Sequence, residues 1–328
     1  GVPLLSKEPD KRADIVLLKF LRARDLVVDQ AFEMLKKTVQ WRQENNMDSI
    51  LNEEDDESFK SMAAIGGKDK DGRLVNFNFC NIEEIIGDDD KREKFLRWRI
   101  RLMERGIKTL DFDSVSEMVQ VVDLKNTSFV SRKDVRNGIK KTVELFQNYY
   151  PEFLAKMIFI NVPFWYYAFS TLFAPSLTQR TKSKFISSRA TRVTDLLLKY
   201  IKAEELPVNF GGLMRESDPD FSAEDGSVDI CLKGGGTEMI EIPAPQVGSA
   251  VTWDLTVSGW EVNYKEEFVP EDDRSYAVIV RRAKKMGWQE TSERNSFVIR
   301  EAGKIVITIE NGSFKKKRVL YRFKYSIP

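Results

Sequence analysis

Apolar residues recur at helical spacing early in the chain and give way to short alternating or continuous runs later, so the pattern alone divides the molecule. In ADIVLLKFLRARDLVVDQAFEMLKKTVQWRQEN (13–45), Leu17, Phe20 and Leu21, then Ala31, Leu35 and Val39, fall on helix faces and predict a small all-helical lobe. The acidic run at 53–57 reads as a solvated loop, and KDKDG at 68–72 as a turn into the strand RLVNFNF. That turn offers too few ligands for a calcium loop. Strands and helices then alternate. SEMVQVVDL (116–124) and MIFINVP (157–163) suit buried strands, while VRNGIKKTVELFQ sets Val135, Ile139, Val143 and Phe146 on one helix face. This order predicts an α/β domain with a mostly parallel sheet.

The grammar changes after LPVNFGG (206–212). RESDPDFSAEDGS (215–227) is polar and rich in turn formers. Beyond it VDICL, EMIEI, SAVTWDLTV, WEVNY, YAVIV, SFVIR, KIVITIE and RVLYRFKY are short runs separated by turn residues such as Asn311-Gly312, with no helix signal among them. A β-sandwich of about eight strands is expected. The predicted organisation is a helical lobe at 1–48, an α/β domain at 49–214, a linker at 215–227 and an all-β sandwich domain at 228–328.

Composition narrows the function. The 328 residues are 42% hydrophobic and 31% charged, ordinary for a multidomain globular chain. Residue 1 is Gly, so the chain reads as a fragment or processed form whose N-terminal extension is missing. There are no histidines, which removes His-based triads, His general bases and His-rich zinc sites. No GxSxG, P-loop or GxGxxG replaces them, so neither an enzyme nor a catalytic residue is expected. The two cysteines, Cys80 and Cys231, form no zinc spacing; a reduced, cytoplasmic protein without a metal is the simplest reading. The longest apolar stretch, 157–172, is interrupted by Asn161, Pro163, Ser170 and Thr171 and falls short of the roughly 20 residues of a spanning helix. Any membrane contact is therefore peripheral.

Charge is partitioned as well. Residues 281–328 hold 13 Lys or Arg against 4 Asp or Glu, a net of +9 on a chain whose total is +1. The clusters Arg281, Arg282, Lys284, Lys285 and Lys315, Lys316, Lys317, Arg318 are either a solvated surface or a dock for anionic lipid, where each residue contributes about 1 kcal/mol. No nucleic-acid recognition motif accompanies them.

The most informative stretch is YYPEFLAKMIFINVP (149–163). Pro151 restricts Tyr150 to an extended conformation, so the helix stops there and Glu152 sits at the break before a buried strand. The following segment carries Phe164, Trp165, Tyr166, Tyr167, Phe169, Leu172, Phe173 and Leu177, apolar nearly all round; it is either core or the cover of a hydrophobic ligand. The cationic TQRTKSKF (178–185) comes directly behind. Greasy walls with a charged end suit an amphiphile, and a lipid fits.

The strings YYPEFLAKMIFINVPFWY, TQRTKSKF, LPVNFGG, LLKFLRAR and KFLRWRI, with the terminal β-domain, together resemble the CRAL-TRIO lipid-binding family joined to a GOLD domain, as in the plant patellins. The resemblance covers nearly the whole chain. It implies a CRAL-TRIO helical lobe, a CRAL-TRIO α/β domain and a GOLD sandwich. It further implies that an inositol phosphate head is held by Arg24, Glu152, Thr181 and Lys184, whose types suit a phosphate and inositol hydroxyls. Phe164 to Leu177 would be a mobile gate and acyl-chain wall. The family's choline-binding positions align with Ile65, Asn76, Met118 and Gln120, which lack the tyrosines and hydroxyls, so no choline site is expected. Asp25 and Phe153 stand where lysine and arginine are common, which lowers the positive charge near the head.

The expected ligand is one phospholipid, phosphatidylinositol or a phosphoinositide, and no cofactor. Two acyl chains are worth on the order of 20 kcal/mol against water, but a bilayer supplies the same, so headgroup contacts set the choice of lipid. The expected role is lipid transfer or presentation at phosphoinositide-containing membranes, in membrane trafficking including cell-plate formation. The alternative is an adaptor whose GOLD domain binds protein partners through exposed edge strands. Arg24 with Glu152 also reads as a plain structural ion pair.

Overall fold

Asp10 starts the first helix by accepting the Arg12 backbone N–H at 2.9 Å, and Lys19 and Arg22 in the last turn complement the helix dipole. The computed structural model describes residues 10–60, 62–79, 89–125, 133–164, 166, 179–287 and 290–326, without the side chains of Ile65, Asp89, residues 133–140 and Thr181. Residues 1–193 form one compact unit and residues 194–328 another.

In the first unit, α1 (Lys11–Arg22) and α2 (Val28–Glu44) reverse through Asp25 and Leu26, both left-handed, and share Phe20, Ala31 and Met34. The short α3 (Glu57–Lys60) leads into β1 (Ala63–Lys68) and β2 (Leu74–Phe79), an antiparallel pair closed by the predicted turn, where the Asp69 carboxylate accepts the N–H groups of Asp71 and Arg73. Crossover helices α4 (Asp89–Lys108) and α5 (Lys133–Tyr149) then allow β2, β3 (Met118–Asp123), β4 (Leu154–Ile160) and β5 (Phe185–Ser187) to run parallel, in the order β1-β2-β3-β4-β5. The central β3 is buried along nearly its whole length, as its continuous apolar run requires. Helix α4 approaches the sheet closely because residue 106 is Gly; a Cβ there would lie 2.9 Å from the Met118 thioether. The short α6 (Gln179–Ser183) precedes β5. Among the described residues no helix is long and apolar enough to cross a membrane.

Helix α7 (Val193–Tyr200) starts at the last residue of the first unit; the second unit holds the rest of it and the LPVNFGG segment, after which Leu213 N–H donates to the Ala203 carbonyl and Met214 N–H to the Leu206 carbonyl. Eight strands follow: β6 (Val228–Leu232), β7 (Thr237–Ala244), β8 (Ala250–Val257), β9 (Val262–Pro270), β10 (Val278–Met286), β11 (Glu293–Val298), β12 (Gly303–Glu310) and β13 (Lys317–Ser326). They form two antiparallel four-stranded sheets, β10-β9-β12-β7 and β11-β8-β13-β6, so all eight expected strands are present and the sandwich is borne out. Ile242, Trp253, Leu255, Tyr264, Phe268 and Ile307 fill the space between the sheets. The buried Glu266 is satisfied by N–H and O–H donors from Trp253, Tyr264 and Asn295 at 2.5–3.0 Å.

The polar stretch 215–227 is fastened to this sandwich by charge. Asp254, fully buried on β8, accepts hydrogen bonds from Arg215, Arg294 and Arg322; Asp218 accepts from Arg294 and Arg322. The Phe221 ring packs against the guanidinium groups of Arg294 (4.9 Å) and Arg322 (4.4 Å).

Candidate functional site

Helix α5 stops where its sequence says it must: Tyr150 N–H makes a last bond to the Phe146 carbonyl, and Pro151 has no N–H to continue. The break is fixed against the helical lobe. Trp41 stacks on Tyr149 at 4.3 Å, and Glu104 accepts both the Tyr150 hydroxyl (2.6 Å) and the Arg42 guanidinium (2.5 and 3.1 Å). Burial and the adjoining carboxylate push the Tyr150 phenol far above its usual range, so it stays a donor.

Glu152 then takes a left-handed backbone, φ 58°, which a side chain rarely adopts. Three bonds hold it. Met118 N–H donates to the Phe153 carbonyl at 2.9 Å, Lys184 Nζ to the Leu154 carbonyl at 2.8 Å, and Lys19 Nζ to the Glu152 carbonyl at 2.9 Å. Lys19 is only 2% exposed, with its ammonium 4.8 Å from the Phe153 ring centroid. Burial pulls its pKa down to about 8, against Glu117 and Glu152, which favour the charged form. Phe153 itself is buried against Phe112 and Tyr150.

The Glu152 side chain is 8% exposed, and its Oε2 accepts from Lys184 Nζ at 2.9 Å and Arg180 Nε at 3.0 Å. Burial works against ionisation, yet the hydrogen bonds and charges of Lys184 and Arg180 hold the carboxyl below its ordinary range. Among the described residues Oε1 takes no hydrogen bond, which leaves one acceptor oxygen at a strongly cationic lip. Beside it Leu18, Arg22, Asp25, Leu26 and Arg180 line a pocket of about 510 Å³.

Of the four expected head residues, Glu152 and Lys184 meet directly. Arg24 instead donates to the Ala23 carbonyl at 2.9 Å, and Glu152 finds Arg180 as its second cation. The Thr181 side chain lies outside the described residues, as do Trp165, Phe169, Leu172, Phe173 and Leu177 of the expected gate. Phe164 is exposed, and Tyr166 packs on Phe159 at 5.3 Å. Asn76, Met118 and Gln120 of the aligned choline positions are buried in the sheet, and the Ile65 side chain lies outside the described residues. Lys19, Arg22 and Arg180, which the structure places around Glu152 or its neighbouring pocket, are not singled out by the sequence; the signal that points to them is the cationic character of LLKFLRAR and TQRTKSKF.

A larger groove of about 810 Å³ borders α4, and two of its carboxylates are held in ion pairs. Glu53 and Asp55 there are tied to Arg97, Arg101 and Arg105.

In the second unit the two basic clusters differ in availability. Arg281 pairs with Glu293, Arg318 with Asp229 at 2.5 Å, and Lys317 is buried, its pKa lowered by burial and by Lys315. Arg282, Lys284, Lys285, Lys315 and Lys316 are exposed.

Comparison with known proteins agrees with this anatomy. A CRAL/TRIO N-terminal domain model matches residues 4–37, a CRAL/TRIO domain model 59–212, and a Patellin-1-like C-terminal GOLD domain model 233–317. Arabidopsis thaliana Patellin-4 is 51% identical over 328 residues, covering 99% of this chain and 61% of its own length. Patellin-6 of the same plant is 39% identical, covering 98% of this chain and 81% of its own length. The phosphatidylinositol transfer protein SFH5 of Kluyveromyces lactis is 33% identical over 71% of this chain and 80% of its own. A crystal structure of Sfh5 superposes with a TM-score of 0.51 at 27% identity, over 59% of this chain and 70% of that one. Fold and site thus define a CRAL-TRIO module followed by a GOLD domain. The chain belongs to the patellin family, and it spans about three fifths of Patellin-4.

Proposed function

We propose that the first unit sequesters one phospholipid of the phosphatidylinositol class, with its head at the Glu152 lip, and transfers or presents it at membranes. The observation that carries this reading is the Glu152 carboxylate, clamped on one oxygen by Lys184 and Arg180. Its second oxygen suits an inositol hydroxyl, and the two cations suit a phosphodiester. Arg24 and Thr181 are assigned to the same head by family likeness. Kinship with a phosphatidylinositol transfer protein supports the choice of lipid.

Phe153, buried where the family resemblance leads one to expect arginine, adds no charge, which supports a preference of the pocket for phosphatidylinositol over its more phosphorylated forms. Those forms are assigned to the exposed surface cations Arg282, Lys284, Lys285, Lys315 and Lys316, which together contribute about 5 kcal/mol toward anionic lipid. The protein would thus work peripherally on cytoplasmic membranes, in membrane trafficking of the kind that builds a cell plate.

The test is phosphatidylinositol transfer between vesicles by Glu152→Ala and Lys184→Ala. A charge-assisted hydrogen bond is worth about 1.5–3 kcal/mol, so each variant should lose at least roughly tenfold in uptake. Wild-type uptake by both variants with unchanged unfolding temperature would remove the head-site assignment. A second reading, protein binding by the sandwich, is favoured by β10, an edge strand that exposes Val278 and Ile279 and follows the exposed Tyr276.

A further inference from the structure

The connections β6–β7 and β12–β13 both pass between the two sheets of the sandwich, and they do so side by side. They are stitched together. Gly235 N–H donates to the Ser313 carbonyl at 3.0 Å and Asn311 N–H to the Gly236 carbonyl at 2.9 Å. The Asn311 side chain, buried beneath them, donates to the Lys233 carbonyl (3.0 Å) and the Lys315 carbonyl (2.8 Å) and accepts the Ser313 N–H and hydroxyl. Gly234 is required for this approach, since a Cβ there would come within 2.4 Å of the Phe314 carbonyl oxygen.

The result is a fixed double loop that presents an aromatic ring with no cover. Phe314 is the most exposed large apolar side chain among the described residues, and Lys233, Lys315 and Lys316 around it are exposed too. Strand register adds a neighbour. Lys285 on β10 and Glu310 on β12 both pair with Asn263 on β9, so the Lys284-Lys285 end of β10 lies at the same end of the sheet, two strand spacings from the loop. The carboxylates at this end are Glu238 at the start of β7, Glu310, which accepts from Asn263, and Glu261, near Lys317.

We infer that this double loop is a membrane-inserting tip, in which Phe314 enters the interfacial layer of an anionic bilayer while Lys233, Lys315, Lys316 and Lys285 meet the headgroups. The chemistry is that of an interfacial anchor, an apolar wedge ringed by cations. A rigid loop loses little conformational freedom when it docks. This rests on the membrane-docking part of the proposed function and adds insertion to it.

The test is sedimentation of the full chain with phosphatidylcholine vesicles containing phosphatidylserine. Phe314→Ala should weaken binding about tenfold, the value of withdrawing one aromatic ring from the interface, with an unchanged unfolding temperature. Phe314→Trp should bind as the wild type does, with added emission that vesicles shift to the blue and brominated acyl chains quench. Wild-type binding by Phe314→Ala, or an added emission that brominated chains leave unquenched, overturns insertion. Loss of binding only in Lys315→Glu/Lys316→Glu also overturns insertion and keeps electrostatic docking; no loss in either variant overturns both. Uptake of a micellar short-chain phosphatidylinositol, which bypasses the vesicle surface, should be unchanged in all three.

Discussion

At Glu152 a left-handed backbone and a largely buried carboxylate coincide, and both cost stability that only the neighbouring bonds return. The two costs separate by substitution. Glu152→Gly and Glu152→Ala should be equally defective in phosphatidylinositol transfer, because both lack the carboxylate. Glycine accepts φ 58° without strain, so urea denaturation should find Glu152→Gly more stable than Glu152→Ala by about 1 kcal/mol. Lys19 gives a pH signature. Its folded pKa of about 8 lies below the usual 10.5, so below pH 8 both states carry the proton and the burial penalty is complete. Between pH 8 and 10.5 the unfolded chain keeps a proton that the folded chain has shed, and stability should rise with pH. In Lys19→Met that contribution to the rise should vanish from chemical denaturation curves taken across the window.

At the scale of elements, what could be read in advance follows from locality. Strands such as β7 and β9 are legible because inward and outward residues alternate along them, β8 and β12 because their apolar runs are continuous, and Pro151 marks the end of α5 because its missing N–H acts on the spot. The charge network around Asp254 was not legible. Arg215, Asp218, Asp254, Arg294 and Arg322 look like surface residues until strand pairing gathers them over a span of more than 100 positions. Lys19 likewise reads as an ordinary helix lysine, since its burial comes from Ser116 and Glu152, far along the chain. Arg180 lies in the cationic TQRTKSKF segment, but its pairing with Glu152, 28 positions away, arises only through folding. Asp254 is fully buried among three guanidinium groups, so Asp254→Ala leaves uncompensated charge and should cost about 3–5 kcal/mol in the unfolding transition of the second unit.

At the scale of the whole molecule, the two units divide the work proposed for this patellin family member: a lipid cavity in the first and membrane docking in the second. Charge reversal of Lys284, Lys285, Lys315 and Lys316 should abolish flotation on phosphoinositide vesicles while native mass spectrometry still finds lipid in the protein. The central claim is that the Glu152 lip selects the lipid by its head. Native mass spectrometry of wild-type chain, Glu152→Ala and Lys184→Ala, each exposed to mixed phosphatidylinositol and phosphatidylcholine vesicles, tests it most directly. The wild type should carry one phosphatidylinositol, and both variants should lose that selection while remaining folded. Equal phosphatidylinositol occupancy in all three, or phosphatidylcholine as the wild-type ligand, would contradict it.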